Sequence, residues 1–296
     1  MKYHKLGAID IGSNSVRLLV TNVFPDRKQV HFKKASLIRL PIRLGADAFT
    51  KGKISKKNYM RMLEGMRAFQ SIMKVHQVED FRACATSAMR DASNGYQLVA
   101  AIQKETGIQI EIIDGSEEAR LIFGSGLLQT IQPEEEVFLY VDVGGGSTEI
   151  SIFEGSRLVA SRSFNIGTIR ILNKLDKKES WQEMRMWVQE NIRGLPMPGM
   201  IASGGNINRL FKLSGRKVGT PLDRDYLETS YEFLQKFTQE ELIMRFDLNI
   251  DRADVIIPAM KIYTSILQWA EGQQVYVPKV GVADGIVRDL YQRHFA

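Results

Sequence analysis

The sequence predicts an α/β chain of two similar domains enclosing a cleft, and three observations carry that prediction. Strand-like runs alternate with stretches of helical periodicity. At 296 residues the chain has room for about two domains of ordinary size. One pattern also occurs twice. Asp10, an apolar residue, a glycine, small polar residues and a strand run recur as Asp142, Val143, Gly144 to Gly146, Ser147 and another strand run, 132 residues later. A repeat offset by one domain length implies two domains that open on the same hairpin. The expected division is 1–130 and 131–296, with the last helix packing back on the first domain.

The elements follow in order. LGAID and SVRLLVTNVF read as strands meeting at the tight turn GSN, because apolar and β-branched residues flank a glycine and two small polar ones. VHFKKASLIRL is a third strand. Tyr59, Met62, Leu63, Met66, Phe69 and Met73 recur at helical spacing, which predicts an amphipathic helix over 56–76. FRACAT is a short buried strand, SAMRDASNG a turn entering a helix that runs to about Glu105, and IQIEIID another strand. EEARLIFGSGLL reads as a helix with acidic residues in its first turn, where the helix dipole favours them. The acidic stretch from Pro133 to Glu136 is the linker candidate. VFLYVDV, TEISIF and RLVASRSF are then strands around the turn GGGS, and GMIAS runs through GGN into a helix at INRLFKL. One long helix is expected from about Arg252 to Glu271, with Pro258 in its first two turns, and GVADGIVRDLYQRHF closes the chain as an amphipathic helix.

Composition excludes several classes of function. Forty Lys and Arg against 34 Asp and Glu leave a net charge of +6, a mild preference for polyanions. No concentrated basic patch is interleaved with aromatics, so no nucleic-acid partner is expected. The single cysteine, Cys84, permits neither an intrachain disulfide nor a cysteine metal site, and fits a cytoplasmic protein. His4, His31, His76 and His294 form no ligand pair at helical spacing, which argues against a zinc hydrolase. No apolar run reaches the length of a membrane span, so no membrane association and no signal peptide are expected.

The candidate chemistry lies at three glycine turns: Gly12 to Ser15, Gly144 to Ser147, and Ser203 to Asn206. Glycine lets a ligand approach the backbone closely, and inward-facing N–H groups can bind phosphate oxygens. Asp10 and Asp142 end buried strand runs, where a carboxylate needs a cation or hydrogen-bond donors. Magnesium suits one or two aspartates plus a polyphosphate; the alternative is that turn amides satisfy each aspartate. Glu149 lies three residues past the triple glycine, so either it or Thr148 faces the ligand side of the strand. Glu117 and Glu118 open a helix, and dipole complementation alone explains at least one of them. Arg90 follows a strand at the end where open α/β sheets bind ligands, and its guanidinium can clamp a phosphoryl group or pair with Asp91.

Together AIDIGSNSVRLLV, ATSAMRDASNG, IIDGSEEARLIFGSG, VDVGGGSTEISIF and IASGGNINRL resemble, in order and spacing, the Ppx/GppA family of exopolyphosphatases and guanosine pentaphosphate phosphohydrolases. The resemblance runs over nearly the whole chain, through RADVI and the terminal GVADGIVRDL. It implies two ribonuclease-H-like domains of the actin, sugar-kinase and Hsp70 type, with the ligand between them. It also implies removal of a terminal phosphate, usually with magnesium. Carried over by position, the catalytic glutamate falls on Glu118 and the phosphate-contacting arginine on Arg90. Asp142 and Glu149 match the metal and water sites, with Asp10 a further metal candidate. Ser13, Asn14 and Ser15, Gly144, Gly145, Gly146 and Ser147, and Gly204 and Gly205 match the phosphate-binding loops. Two features depart from the family pattern. Arg17 stands where many members have histidine, and the chain matches the short form, without the C-terminal metal-binding helical domain of larger members.

The resulting expectation is an exopolyphosphatase in which Glu118 activates a water for in-line attack, Glu149 assists, and Arg90, loop amides and magnesium stabilise charge. The partners are inorganic polyphosphate or guanosine pentaphosphate, and the assembly a homodimer. A guanosine pentaphosphate 5′-phosphohydrolase and a noncatalytic guanosine tetra- or pentaphosphate sensor remain open, because all three use the same loops. A sugar or acetate-type kinase would leave SEEAR and TSAMRDASNG without a task.

Overall fold

The computed structural model describes residues 3–26, 29–126, 135–155 and 157–295. The chain divides into two compact units, one of residues 1–125 and 280–296, the other of residues 126–279. Each has its own apolar core.

In the first unit β1 (His4–Ile11), β2 (Val16–Pro25) and β3 (Val30–Leu40) form an antiparallel meander. Then follow α1 (Leu44–Lys51), α2 (Lys56–His76), β4 (Asp80–Ala85), α3 (Ser87–Asp91), α4 (Gly95–Thr106), β5 (Ile110–Ile112) and α5 (Gly115–Phe123). β4 pairs parallel to β1 and β5 parallel to β4, giving the order β3-β2-β1-β4-β5. The helix expected over 56–76 is α2; Met62, Leu63, Met66, Phe69 and Met73 are its buried face. Its N-cap is Ser55, whose hydroxyl accepts from the Asn58 amide at 3.3 Å.

The second unit repeats the plan. β6 (Val137–Val143), β7 (Thr148–Glu154) and β8 (Arg157–Phe164) form the meander. After them come α6 (Thr168–Leu172), α7 (Lys178–Ile192), β9 (Gly199–Ser203), α8 (Gly205–Leu213), β10 (Leu222–Asp223), α9 (Arg224–Leu234), α10 (Gln239–Phe246), α11 (Ile250–Ala253), α12 (Ile256–Trp269) and β11 (Gln274–Tyr276). β9 is parallel to β6, and β11 to β9. The sheet order is β10-β11-β9-β6-β7-β8. Apart from the added edge strand β10 it is the first unit's order, and the fold is α/β with two ribonuclease-H-like, actin-type units. The last helix, α13 (Val282–His294), belongs to the first unit.

Three expected elements come out differently. The helix expected from Arg252 to Glu271 is two, α11 and α12, separated by a turn in which the Val255 amide bonds to the Arg252 carbonyl at 3.1 Å. That break lets Pro258 sit third in α12, in the first turn, where a missing N–H forfeits no intrahelical bond. SAMRDASNG contains a helix of its own, α3, before α4 begins. The helix from EEARLIF stops at Phe123 with Gly124 as its C-cap; Leu127 and Leu128 lie outside the described residues, as do Pro133 and Glu134 of the linker candidate. Among the described residues no helix is long and apolar enough to cross a membrane.

Candidate active site

Both meanders turn at the same place in the same way. In the first unit the Gly12 amide donates to the Ser15 carbonyl at 3.1 Å; in the second the Gly144 amide donates to the Ser147 carbonyl at 2.9 Å. Each turn links a strand whose penultimate residue is an aspartate to a strand whose second residue is that aspartate's cross-strand neighbour. Asp10 is paired with Arg17 and Asp142 with Glu149, directly opposed in register. Opposed residues of an antiparallel pair share a face. Equivalent positions therefore hold an acid and a base in the first unit and two acids in the second.

Asp10 is buried and its Oδ2 lies 3.3 Å from Nη1 of Arg17. Burial pushes its carboxyl above the usual aspartate range, and Arg17 pulls in the opposite direction without overcoming it. In the turn below it, Ser13 and Ser15 are buried; the Ser13 hydroxyl shares a 2.8 Å hydrogen bond with that of Ser87, the first residue of α3. The carbonyls of Ser13 and Asn14 accept from the amides of Gly45 (2.8 Å) and Arg43 (3.0 Å), so the loop entering α1 braces the turn.

Arg90 and Glu118 lie on the helices that follow β4 and β5, neighbouring strands of the first sheet. Arg90, on α3, reaches across from the end of β4 and donates through Nη1 to the carbonyl of Ile113, just beyond β5, at 3.0 Å. Its contact with Asp91 is longer, 3.9 Å, so this ion pair is weaker than the bond to Ile113. The next residue, Asp114, N-caps α5 by accepting from the Glu117 amide at 2.8 Å and from the Ser116 hydroxyl at 2.7 Å. Those bonds hold the Asp114 carboxyl below the usual range. Glu117 and Glu118 then diverge. Glu117 accepts from Arg120 and Arg82, whereas Glu118 turns inward and is only 7% exposed.

In the second unit Asp142 is part-exposed and Glu149 buried. Oε1 of Glu149 accepts from the hydroxyls of Ser147 (2.6 Å) and Ser163 (2.9 Å), Ser163 being its neighbour on β8. On the other side Asp142 is registered with Ser203 of β9. A polar row therefore crosses four strands: Ser163, Glu149, Asp142, Ser203. The carbonyls of the triple glycine are engaged from outside, Gly144 by the Thr168 amide (3.0 Å), Gly145 by the Ile169 amide (2.8 Å) and Gly146 by Nε of Arg170 (2.7 Å). The amides of Gly145 and Gly146 take no part in those bonds.

Gly204 has φ +125°, and a Cβ there would meet the Tyr263 hydroxyl at 3.0 Å, the Val143 carbonyl at 3.3 Å and Oδ1 of Asp142 at 3.5 Å. Only glycine fits between this aspartate and the core. Tyr263 is fully buried and donates to the Ser203 carbonyl. Burial and the nearby Asp142 charge hold its hydroxyl well above the usual tyrosine range, so it is a neutral donor. Arg252 donates to the Gly205 carbonyl at 3.1 Å.

Among the described residues no group of three or more His, Cys, Asp or Glu is arranged to hold a metal. Asp142 and Glu149 offer two opposed carboxylates, a donor set that fits a magnesium ion taking its other oxygens from phosphate and water. Asp10 already faces a guanidinium. Sequence reasoning passed over Ser87, Arg170, Tyr263 and Ser163. Ser87 lies inside a segment already singled out, TSAMRDASNG, whereas Ser163 carries no signal beyond strand alternation.

Residues 25–294 match the Ppx/GppA phosphatase family. The bifunctional 3-dehydroquinate synthase/phosphatase of Fusobacterium nucleatum is 31% identical over 199 residues, 64% of this chain and 30% of that protein. Exopolyphosphatase 2 of Mycobacterium tuberculosis is 31% identical over 179 residues, 59% of this chain and 56% of that protein. The chain thus spans between about a third and somewhat over half the length of these relatives. An exopolyphosphatase from Cytophaga hutchinsonii superposes with a TM-score of 0.82 at 25% identity over 98% of both chains. The Aquifex aeolicus Ppx/GppA family member shares the fold, with a TM-score of 0.78 at 21% identity over the whole of both chains.

Proposed function

Because the chain belongs to the Ppx/GppA phosphatase family, we propose that it is an exopolyphosphatase, releasing the terminal phosphate of inorganic polyphosphate by in-line attack of water. The observation that carries this reading is the polar row beside the triple glycine, where Asp142 and Glu149 oppose each other next to backbone amides free of the turn's own bonding. Carboxylates, amides and a polyanion can share such a place only if a cation joins them. Asp142 and Glu149 are the residues that would hold magnesium, and the ion would neutralise charge on the phosphoryl oxygens. Asp10 is assigned to Arg17 instead.

The remaining roles follow from the chemistry of phosphoryl transfer, where positioning and electrostatics outweigh covalent steps. Glu118 orients the attacking water and accepts its proton. Arg90 binds the transferring phosphoryl group. Ser13, Asn14 and Ser15, with the turns at Gly144 to Ser147 and Gly204 to Gly205, bind the phosphates behind it. A homodimer and a cytoplasmic location belong to the same proposal.

The test is phosphate release from long polyphosphate, short polyphosphate and guanosine pentaphosphate, each with magnesium and with chelator, by the parent and by Glu118→Gln. Release from polyphosphate that stops on chelation, with kcat lowered at least about 100-fold in Glu118→Gln and KM within about threefold, is the expected result. Release from guanosine pentaphosphate alone would move the assignment to that substrate. Binding without release from any of the three would make the chain a sensor. Glu118→Gln at the parent rate overturns the role given to Glu118.

A further inference from the structure

Arg82, on β4, is only 8% exposed, and a guanidinium buried this far must be matched by acceptors. It is matched by three carboxylates from three different elements. Nη2 lies 2.7 Å from Glu111 of β5 and 3.2 Å from Glu117 of α5, and Nη1 lies 2.9 Å from Asp289 of α13. Arg120 closes the loop, donating to Glu117 through Nε at 2.6 Å and to Asp289 through Nη2 at 2.9 Å. Arg293 also contacts Asp289, at 2.8 Å. Arg120, then Arg82, hold the Glu117 carboxyl below the usual glutamate range against its burial.

α13 also touches α5 through its backbone. A Cβ on Gly285 would lie 1.9 Å from the Leu121 carbonyl oxygen, so the two helices meet where only glycine fits. α13 thus meets α5 at two points, Gly285 against Leu121 and Asp289 against Arg120, the residue that also binds Glu117.

We propose that Asp289 is a positioning residue for the hydrolytic reaction: acting through Arg82 and Arg120 it fixes Glu117, and with it the direction in which the next residue, Glu118, projects. The proposal rests on the role given to Glu118 above. A general base must be held at hydrogen-bonding distance from its water, and a displacement near 1 Å can cost about 100-fold in rate. Asp289→Asn keeps the side chain's size and removes the charge shared by the guanidiniums of Arg82, Arg120 and Arg293.

The experiment is a double-mutant cycle in the 296-residue chain, measuring phosphate release and thermal unfolding for the parent, Asp289→Asn, Glu118→Gln and the double variant. Asp289→Asn should lower kcat about tenfold with KM within about twofold, and Asp289→Glu should recover part of the loss. In the Glu118→Gln background, Asp289→Asn should lower kcat no further while lowering the unfolding temperature as much as it does in the parent. An equal fractional loss of kcat in both backgrounds, or parent kcat in Asp289→Asn, overturns the proposal. Glu118→Gln at the parent rate instead removes the premise about Glu118. Should Asp289→Asn fail to fold, Arg120→Gln, at a half-exposed position, takes its place with the same two readouts.

Discussion

Asp10 and Asp142 occupy equivalent positions at the ends of β1 and β6, yet their surroundings assign them different work. Arg17 supplies the countercharge to Asp10, while Asp142 faces a second carboxylate. Because burial raises the folded-state pKa of Asp10 above its unfolded value, its contribution favours folding at low pH and is lost as pH rises through the folded pKa. Asp10→Asn should therefore be more stable than the parent at neutral pH, with a flatter dependence of the urea midpoint on pH above about 4. In the second unit hydroxyl groups support Glu149, the neighbour of Asp142. Ser163→Ala removes a hydrogen bond to Glu149, and the magnesium concentration for half-maximal activity should rise about tenfold in a metal titration. At this scale the sequence was informative about residue types and silent about direction. It named Glu117 and Glu118 as a pair because both fit a helix start. Consecutive helical residues point about 100° apart, so only the position of Arg82 and Arg120 shows that Glu117 is the one they bind.

Among the elements, the hairpins were legible because a strand buried on one or both faces writes a dense apolar run bounded by turn residues. VFLYVDV and GMIAS are buried almost throughout. The helices α7 and α10 left little trace, since α7 buries only Met184 and Val188 and α10 only Leu242, too few positions for a period to stand out. The split between α11 and α12 was hidden for the opposite reason, as apolar residues continue through the break. The contact of α5 with α13 could not be read at all: it depends on a glycine at 285 facing a carbonyl 164 residues earlier in the chain. Gly285→Ala should cost about 3 kcal/mol, because the obstructing atom is backbone and cannot swing aside, and chemical denaturation checks it.

For the whole molecule, the duplication was visible in the sequence because both copies retain the same turn, and the two sheets share one strand order. Residues 280–296 follow the second unit in sequence and are packed into the first. Ile286, Val287, Leu290 and Tyr291 are buried there. Deleting 280–296 should leave the second unit's unfolding transition in place, abolish that of the first, and produce binding of a hydrophobic dye, all measurable by calorimetry and fluorescence. The same arrangement bears on synthesis. A ribosome translates the first unit's sheet early but delivers its final helix only after 154 intervening residues have emerged. Domains ordinarily mature from the N-terminal side as they leave the exit tunnel; here the second unit can close first, while the earlier one waits, its apolar flank a natural client for a chaperone.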